Sequence, residues 1–187
     1  MMHSGVGFIW GKLFNREFLI RNNLLLNDNL TAAEDAEFML RTAFYADRVS
    51  FVAKSLYNYL HNTVSAVRSF RTDYVERYRK SLSVMFDFLV DNGLSKHLVT
   101  YDNCVLYHLL LIVVNYSFNP ARGDTKKEQT AAFKKLVKDP FFANAMKSLR
   151  LKDFSMTRKI TLICIKLKMY RMVRLIALFR QKQTGTS

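Results

Sequence analysis

Residues 104–114 read CVLYHLLLIVV, an almost unbroken apolar run, and uncharged residues continue to Ala121. A helix that is apolar on all sides must be covered on all sides, either by protein or by lipid. His108, Asn115 and Asn119 argue against a membrane span, and the dense apolar part is well short of the roughly 20 residues that a span requires. The sequence therefore predicts a buried core helix.

The chain is helical in character from about Arg71 onwards. Apolar residues recur three or four positions apart up to Gly93, which is a good helix stop: Val75, Tyr78, Leu82, Met85, Phe86 and Leu89. Residues 125–137 form a second amphipathic pattern, and Pro140 is placed to begin another short helix.

The first 65 residues contain both helix signals and strand signals. Asn15 can cap a short helix through Ile20, and residues 34–46 are predicted to be helical. Residues 48–52 (RVSFV) and 55–61 (SLYNYLH) carry β-branched and aromatic side chains in partial alternation, which predicts two short strands. The expected fold class is mostly α with a small α/β portion.

Length and composition narrow the class of protein. The 187 residues are half hydrophobic, which suits one domain or one domain with an appendage. Cys104 and Cys164 each lie in an apolar helical run, so neither a disulfide framework nor a zinc site is indicated, and a reducing compartment fits best. The opening MMHSGVGFIWGKLF does not resemble a signal peptide. Because Trp10 and Phe14 follow so soon, we expect the chain to start inside a domain.

A net charge of +14, from 29 basic and 15 acidic residues, points to an anionic partner. A membrane surface, a nucleic acid or a phosphorylated substrate would meet that requirement. The charge is uneven along the chain. Residues 158–182 contain eight basic residues and no acidic residue: Arg158, Lys159, Lys166, Lys168, Arg171, Arg174, Arg180 and Lys182.

Glu34 and Asp35 stand where the second predicted helix begins. Acidic residues in a first helical turn complement the helix dipole by about 0.3–1 kcal/mol, and any helix can use them in this way. A second interpretation is that the pair holds the one carboxylate that a catalytic step would need. The residues on either side bear on the choice.

Three short motifs occur here in a fixed order, and the second of them contains this pair. WGKLFNREF supplies Trp10, Lys12, Leu13, Phe14, Arg16 and Phe18; EDAEF supplies Glu34, Asp35 and Phe38; YNYLHNTVS supplies Tyr57, Tyr59 and Ser65. The series resembles the C-terminal part of family 2 glycosyltransferases, the bacterial enzymes that build cell-surface polysaccharide. Their pattern runs W-x-K-L-[FY]-x-[RK]-x-[FL], then E-D-x-x-F, then Y-x-Y and a serine. The resemblance covers residues 7–66, about a third of the chain.

The resemblance implies sugar transfer, usually with inversion, from a nucleotide-diphosphate donor to an acceptor hydroxyl. Such a hydroxyl is a poor nucleophile until a base takes its proton, and Asp35 matches the family's base. A helix N-terminus is expected to keep that carboxylate ionised. Glu34 is expected to bind acceptor hydroxyls or to orient the turn. Ala33 departs from the family, which commonly has Gly or another small or polar residue there.

The resemblance also implies a divalent cation, Mg²⁺ or Mn²⁺, held by an upstream Asp-x-Asp motif. These 187 residues contain no Asp-x-Asp. We therefore expect residues 1–66 to be the acceptor-side, C-terminal part of a GT-A domain, inactive and without a bound cation unless a donor-binding half is supplied. Residues 67–187 are expected to form a helical region.

Other residues near the motifs have two interpretations each. Trp10 can pack in the interior or stack on an acceptor sugar, and Lys12 can be solvated or neutralise a donor phosphate. His61 can be an ordinary polar residue or a third metal ligand. Tyr57 and Tyr59 are expected to pack in the core.

The C-terminal region is predicted to end in one basic amphipathic helix. Its apolar stripe comprises Leu162, Ile165, Met169, Met172, Ile176 and Phe179. Such a helix can lie at an anionic membrane surface, or its stripe can pack on the other helices. Nucleic-acid binding is disfavoured because no recognised module is present.

Two functions from different classes follow. The first is a glycosyltransferase that uses a nucleotide-sugar donor and a saccharide or lipid-linked acceptor, cytoplasmic and peripheral at the inner face of the cell membrane. The alternative is a non-catalytic, membrane-associated helical adaptor.

Overall fold

A computed structural model describes residues 7–58, 60 and 70–183. The described chain is mostly helical, as predicted, with eight α-helices. They are α1 (Arg16–Arg21), α2 (Glu34–Tyr45), α3 (Tyr74–Asp91), α4 (Leu98–Ile112), α5 (Lys126–Lys138), α6 (Pro140–Lys147), α7 (Met156–Lys166) and α8 (Tyr170–Gln183). Two compact units result: a first unit of Met1–His61 with Arg77–Asn92, and a second unit of Asn62–Glu76 with Gly93–Ser187.

Local capping signals account for most helix starts. The Asn15 side chain accepts a hydrogen bond from the Phe18 amide at 2.8 Å and starts α1. Thr125 and Glu128 form a capping box at the start of α5, and Asp139 caps α6 with Pro140 in its first turn. Gly93 has a φ of 67°, the left-handed geometry that follows a helix end. Each of these elements agrees with the sequence prediction.

The prediction of two strands is wrong for residues 48–58, which are irregular. Val49 and Phe51 are 88% and 91% exposed, so their alternation buries no surface. A strand needs a neighbouring strand to satisfy its backbone groups, and the described part of the chain contains none. Tyr57, expected in the core, is 51% exposed, while Tyr59 lies outside the described residues.

The core of the second unit is built on α4. Leu106, Leu109 and Ile112 are fully buried, and the helix continues into a π-helical turn, Val113–Ser117. Helices α6 and α7 pack on α4, and α5 and α8 pack on the π-helical turn. Ser95–Ser117 has the length and mean hydropathy (1.4) of a possible membrane span, but more than half of its apolar part is buried inside the protein.

The C-terminal region is two helices, so the prediction of one continuous basic helix is wrong. Lys168 adopts a φ of 59° between them. The Lys168 amide bonds to the Ile165 carbonyl at 3.0 Å, and the Met169 amide bonds to the Cys164 carbonyl at 2.8 Å. These two bonds make a Schellman motif, which usually has glycine where Lys168 stands. The predicted stripe is split as well, because Leu162 is buried whereas Phe179 is 62% exposed.

A buried glutamine joins α8 to the π-helical turn. The Gln181 Nε2 donates to the carbonyls of Val114 and Phe118, the second at 3.3 Å. Gln181 is 3% exposed, so water cannot replace these bonds. This contact fixes the orientation of α8 within the second unit.

We expect Gln181→Met to lower the free energy of unfolding by about 1–3 kcal/mol, because two buried carbonyls lose their donor. Urea denaturation of the variant measures the loss. Gln183→Met, at an exposed position on the same helix, is the matched control and should change stability little. Equal effects at both positions would contradict the role of Gln181.

Burial also controls the protonation of His108 in α4. Its Nδ1 lies 2.8 Å from the Cys104 carbonyl oxygen, and its ring is buried. Loss of solvation lowers the pKa of His108 to about 4, only partly opposed by that bond. Burial likewise raises the pKa of the Cys104 thiol to about 12. Both groups are therefore neutral at pH 7.

We expect the protein to lose stability between pH 6.5 and about 4 because of His108. The unfolded chain binds a proton there and the folded chain does not, so the free energy of unfolding falls as pH falls, by roughly 3 kcal/mol for this group. His108→Gln should remove that part of the slope in denaturation at several pH values, whereas His97→Gln, at an exposed position, should keep it. Identical slopes in the wild type and His108→Gln would contradict the assignment.

Candidate functional site

In the first unit, residues of the first motif lie beside residues of the other two motifs. A Cβ atom built on Gly11 would lie 3.7 Å from the Tyr57 Cβ, and one on Gly7 would lie 4.0 Å from the Ala36 Cβ. The rings of Phe14 and Phe38 meet edge to face with centroids 5.6 Å apart. Segments that are 20 to 50 residues apart in the chain are thus neighbours.

Asp35 lies in the first turn of α2 and is half-buried. Its Oδ1 accepts a hydrogen bond from the Ala36 amide at 2.8 Å, so the carboxylate serves the helix start. Burial raises the pKa of Asp35, and the charge of Glu34 adds to the rise, whereas the Ala36 bond and the charge of Lys12 oppose it. The sequence predicts that the helix N-terminus keeps this carboxylate ionised, but loss of solvation is the largest effect on its pKa and acts in the opposite direction.

Lys12 and Trp10 lie in the turn before α1. The Lys12 Nζ donates to the Phe8 carbonyl. Burial lowers the pKa of Lys12, and the negative charge of Asp35 partly restores it. The Trp10 ring stacks on Phe8 with centroids 3.7 Å apart, so Phe8 covers one face of the indole. Packing is thus one observed role of Trp10, and acceptor stacking stays a prediction.

The turn before Asp35 has an unusual backbone. Ala33 has φ 55° and ψ 24°, the left-handed region, and no side chain caps α2 at this position. For a residue with a Cβ this conformation costs about 1–2 kcal/mol. Two side chains of α3 hold the turn from outside: Arg77 donates to the Thr31 carbonyl at 3.4 Å, and the Ser81 hydroxyl donates to the Ala32 carbonyl.

A buried ion pair on α2 also supports this region. Glu37 is 3% exposed and binds Arg41 through both oxygens, with Oε1 2.6 Å from Nε and Oε2 2.9 Å from Nη2. The Arg41 Nη2 also donates to the Leu25 carbonyl at 2.6 Å. This bidentate geometry ties α2 to the preceding loop.

Sequence reasoning did not identify these supporting residues. The Glu37–Arg41 spacing of four is a recognisable helix signal and could have been found. Arg77 and Ser81 could not, since their partners lie 46 and 49 residues away in the sequence. His61, the predicted metal ligand, lies outside the described residues.

The described residues do not fit the divalent cation that the resemblance implies. Among them, no three side chains of His, Cys, Asp or Glu come together as a possible metal site. An open cleft of about 540 Å³ occurs in the second unit, lined by Ala131, Lys134, Lys135, Lys138 and Asp139, and none of these is a predicted site residue.

Comparison with known proteins does not assign this chain to a family. No family model matches this chain, and neither a curated protein nor a solved structure matches it.

We expect Ala33→Gly to raise the free energy of unfolding by about 0.5–1 kcal/mol, because glycine adopts positive φ without the steric cost and loses part of the gain to chain entropy. Ala43→Gly, at an exposed position inside α2, is the matched control and should lower it by about 1 kcal/mol. Urea denaturation measures both. A loss of stability in both variants would mean that Ala33 does not adopt the left-handed conformation.

Proposed function

We propose that the first unit forms the acceptor side of a glycosyltransferase, with Asp35 as the base. The observation that carries the proposal is a pair of proximities between the three motifs of the family 2 pattern: Gly11 lies beside Tyr57, and the charges of Lys12 and Asp35 interact. Spatial proximity of those motifs is what a shared acceptor site requires.

In the proposed reaction, the acceptor hydroxyl oxygen attacks the anomeric carbon of the donor sugar. Its proton passes to the Asp35 carboxylate, and the bond from the anomeric carbon to the diphosphate oxygen breaks, so that the nucleoside diphosphate leaves with the electron pair. A pKa raised by burial suits this base, because a stronger base takes a proton more readily. Glu34, the preceding residue, accepts a hydrogen bond from a second acceptor hydroxyl in this proposal.

The positive charge of Lys12 has a role in the same proposal. It lies close enough to Asp35 for each charge to shift the pKa of the other. A cation at this position favours the ionised form of the base and attracts an anionic donor. Trp10, which is half-buried and stacks on Phe8, is proposed to contact the acceptor sugar.

The donor-binding half is proposed to come from polypeptide outside these 187 residues. Exposed apolar side chains in the first unit support this idea: Leu13 is 101% exposed, Val49 88% and Phe51 91%. Large apolar side chains left in water commonly mark a surface that another part of the protein covers. The irregular segment 48–58 would gain strand partners from such a half, and the cation would be bound there.

The alternative function is a helical adaptor without catalysis. It keeps the membrane association expected of the basic C-terminal region but needs no base, so it predicts that Asp35 affects folding only. Measurement of turnover separates the two functions.

We expect Asp35→Asn to lower turnover roughly 10²–10⁴-fold in the natural polypeptide that carries these residues, because the acceptor proton loses its base. Release of nucleoside diphosphate from nucleotide sugars, with saccharide or lipid-linked acceptors, measures the rate. Wild-type activity should also fall as pH drops through the raised pKa of Asp35, since the protonated form is inactive.

Two controls make this test selective. Asp28→Asn changes an exposed carboxylate in the same unit and should keep normal turnover. Circular dichroism and urea denaturation show whether Asp35→Asn still folds. Normal turnover of a folded Asp35→Asn variant would disprove the base assignment, and no turnover by the wild type with any donor would favour the adaptor.

A further inference from the structure

Helices α7 and α8 each expose a row of apolar side chains. The outer row of α7 consists of Met156, Ile160, Ile163 and the C-cap residue Leu167, which are 38–69% exposed. The outer row of α8 consists of Met172, Leu175 and Phe179, which are 43–62% exposed. Spacings of three and four residues place each row on one face of its helix.

The outer rows are not used to build the core. Helix α7 buries Thr161, Leu162, Cys164 and Ile165, and α8 buries Val173, Ala177 and Gln181. In each helix the buried face lies roughly opposite the outer row at about 100° per residue. The core is therefore complete while seven large apolar side chains remain in contact with water.

Basic side chains flank both outer rows. On α7, Lys159 and Lys166 lie about a quarter turn from the row, and on α8, Arg171 and Lys182 lie at a similar angle. Lys166, Arg171 and Lys182 are exposed. No acidic residue occurs between Asp153 and the C-terminal Ser187. Apolar area bordered by cations on one helical face is the pattern of an interfacial helix.

We infer that α7 and α8 dock on an anionic lipid surface through these two outer rows, with the flanking Lys and Arg side chains on the headgroups. The inference does not rest on the proposed glycosyl transfer. A second copy of the chain fits less well, since the same cations would face each other. Nucleic acid also fits less well, because its phosphates have no use for rows of Leu, Ile and Met.

The contact surface differs from the stripe that sequence periodicity predicted. Leu162 and Ile165 belong to that stripe but are buried, whereas Ile160, Ile163 and Leu175 lie outside it and are exposed. Substitutions at the buried stripe residues and at the exposed outer rows therefore test different properties of the protein. Changes at Leu162 would disturb folding, and changes at the outer rows would disturb docking.

Co-sedimentation of the full chain with vesicles tests the inference. We expect binding to phosphatidylcholine–phosphatidylglycerol vesicles, weak binding to phosphatidylcholine alone, and loss of binding as ionic strength rises from about 0.1 M to about 1 M. Equal recovery on both vesicle types, or no recovery on either, would overturn the proposal.

Charge variants test the flanking cations. Replacing Lys166, Arg171 and Lys182 by Gln should lower the partition coefficient roughly 100-fold at low ionic strength. The matched control replaces Lys80, Lys126 and Lys127, which are also exposed, and removes the same net charge elsewhere. Equal losses in the two triple variants would mean that only the total charge matters, and would overturn the assigned face.

Apolar variants test the outer rows. Leu175→Gln with Phe179→Gln should lower the partition coefficient roughly tenfold or more, since apolar area no longer enters the interface. Leu25→Gln with Val49→Gln, at exposed positions of the first unit, is the control and should bind normally. Urea denaturation checks that both double variants fold. Unchanged vesicle binding of the folded Leu175/Phe179 variant would overturn the inference.

Two further outcomes would indicate that the partner is not a lipid surface. Tight binding to random-sequence duplex DNA, without vesicle binding, would assign the charge to nucleic acid. A dimer in sedimentation equilibrium that the Leu175/Phe179 variant converts to monomer, without vesicle binding, would assign the rows to a second copy.

Discussion

The second unit depends on the need to cover α4. Its residues are apolar almost all the way round, and Leu106, Leu109 and Ile112 have no contact with water. Helices α6 and α7 and the helices on the π-helical turn meet this need. One buried polar group is bonded locally: the His108 ring lies within hydrogen-bond distance of the Cys104 carbonyl and stays neutral. Burial of one apolar helix thus decides both the packing and the protonation states around it.

Helix α7 packs on α4, and α8 packs on the π-helical turn that continues α4; each uses only one of its faces to do so. The apolar side chains on their other faces are not needed for the core, and the basic residues beside them lie in a stretch of sequence that has no acidic residue after Asp153. The turn at Lys168 matters here because it resets the helical phase between the two helices. A single continuous helix would have put Leu162 and Phe179 on one stripe, but with the turn Leu162 faces inward and Phe179 faces water.

The start of α2 depends on contacts from outside the helix. Ala33 takes a left-handed conformation, and Arg77 and Ser81 hold the two carbonyls before it. Backbone strain of this kind persists only where the surroundings hold it in place. The consequence for Asp35 is a half-buried carboxylate in a positioned turn, close to the charge of Lys12. Burial is the largest effect on the pKa of Asp35 and raises it.

The sequence by itself determined the elements whose signals are local. The Asn15 cap, the Thr125 capping box, the α4 core helix and the stop at Gly93 each depend on residues within a few positions of one another. Tertiary structure decided the rest. Residues 48–52 have strand-like side chains but no neighbouring strand in the described chain, and Lys168 ends α7 where sequence rules expect glycine. In the same way, the partners of Arg77 and Ser81 are too distant in sequence for any local pattern to reveal. Propensity acts over a few residues, whereas strand pairing, strained turns and the choice of buried face depend on distant parts of the chain.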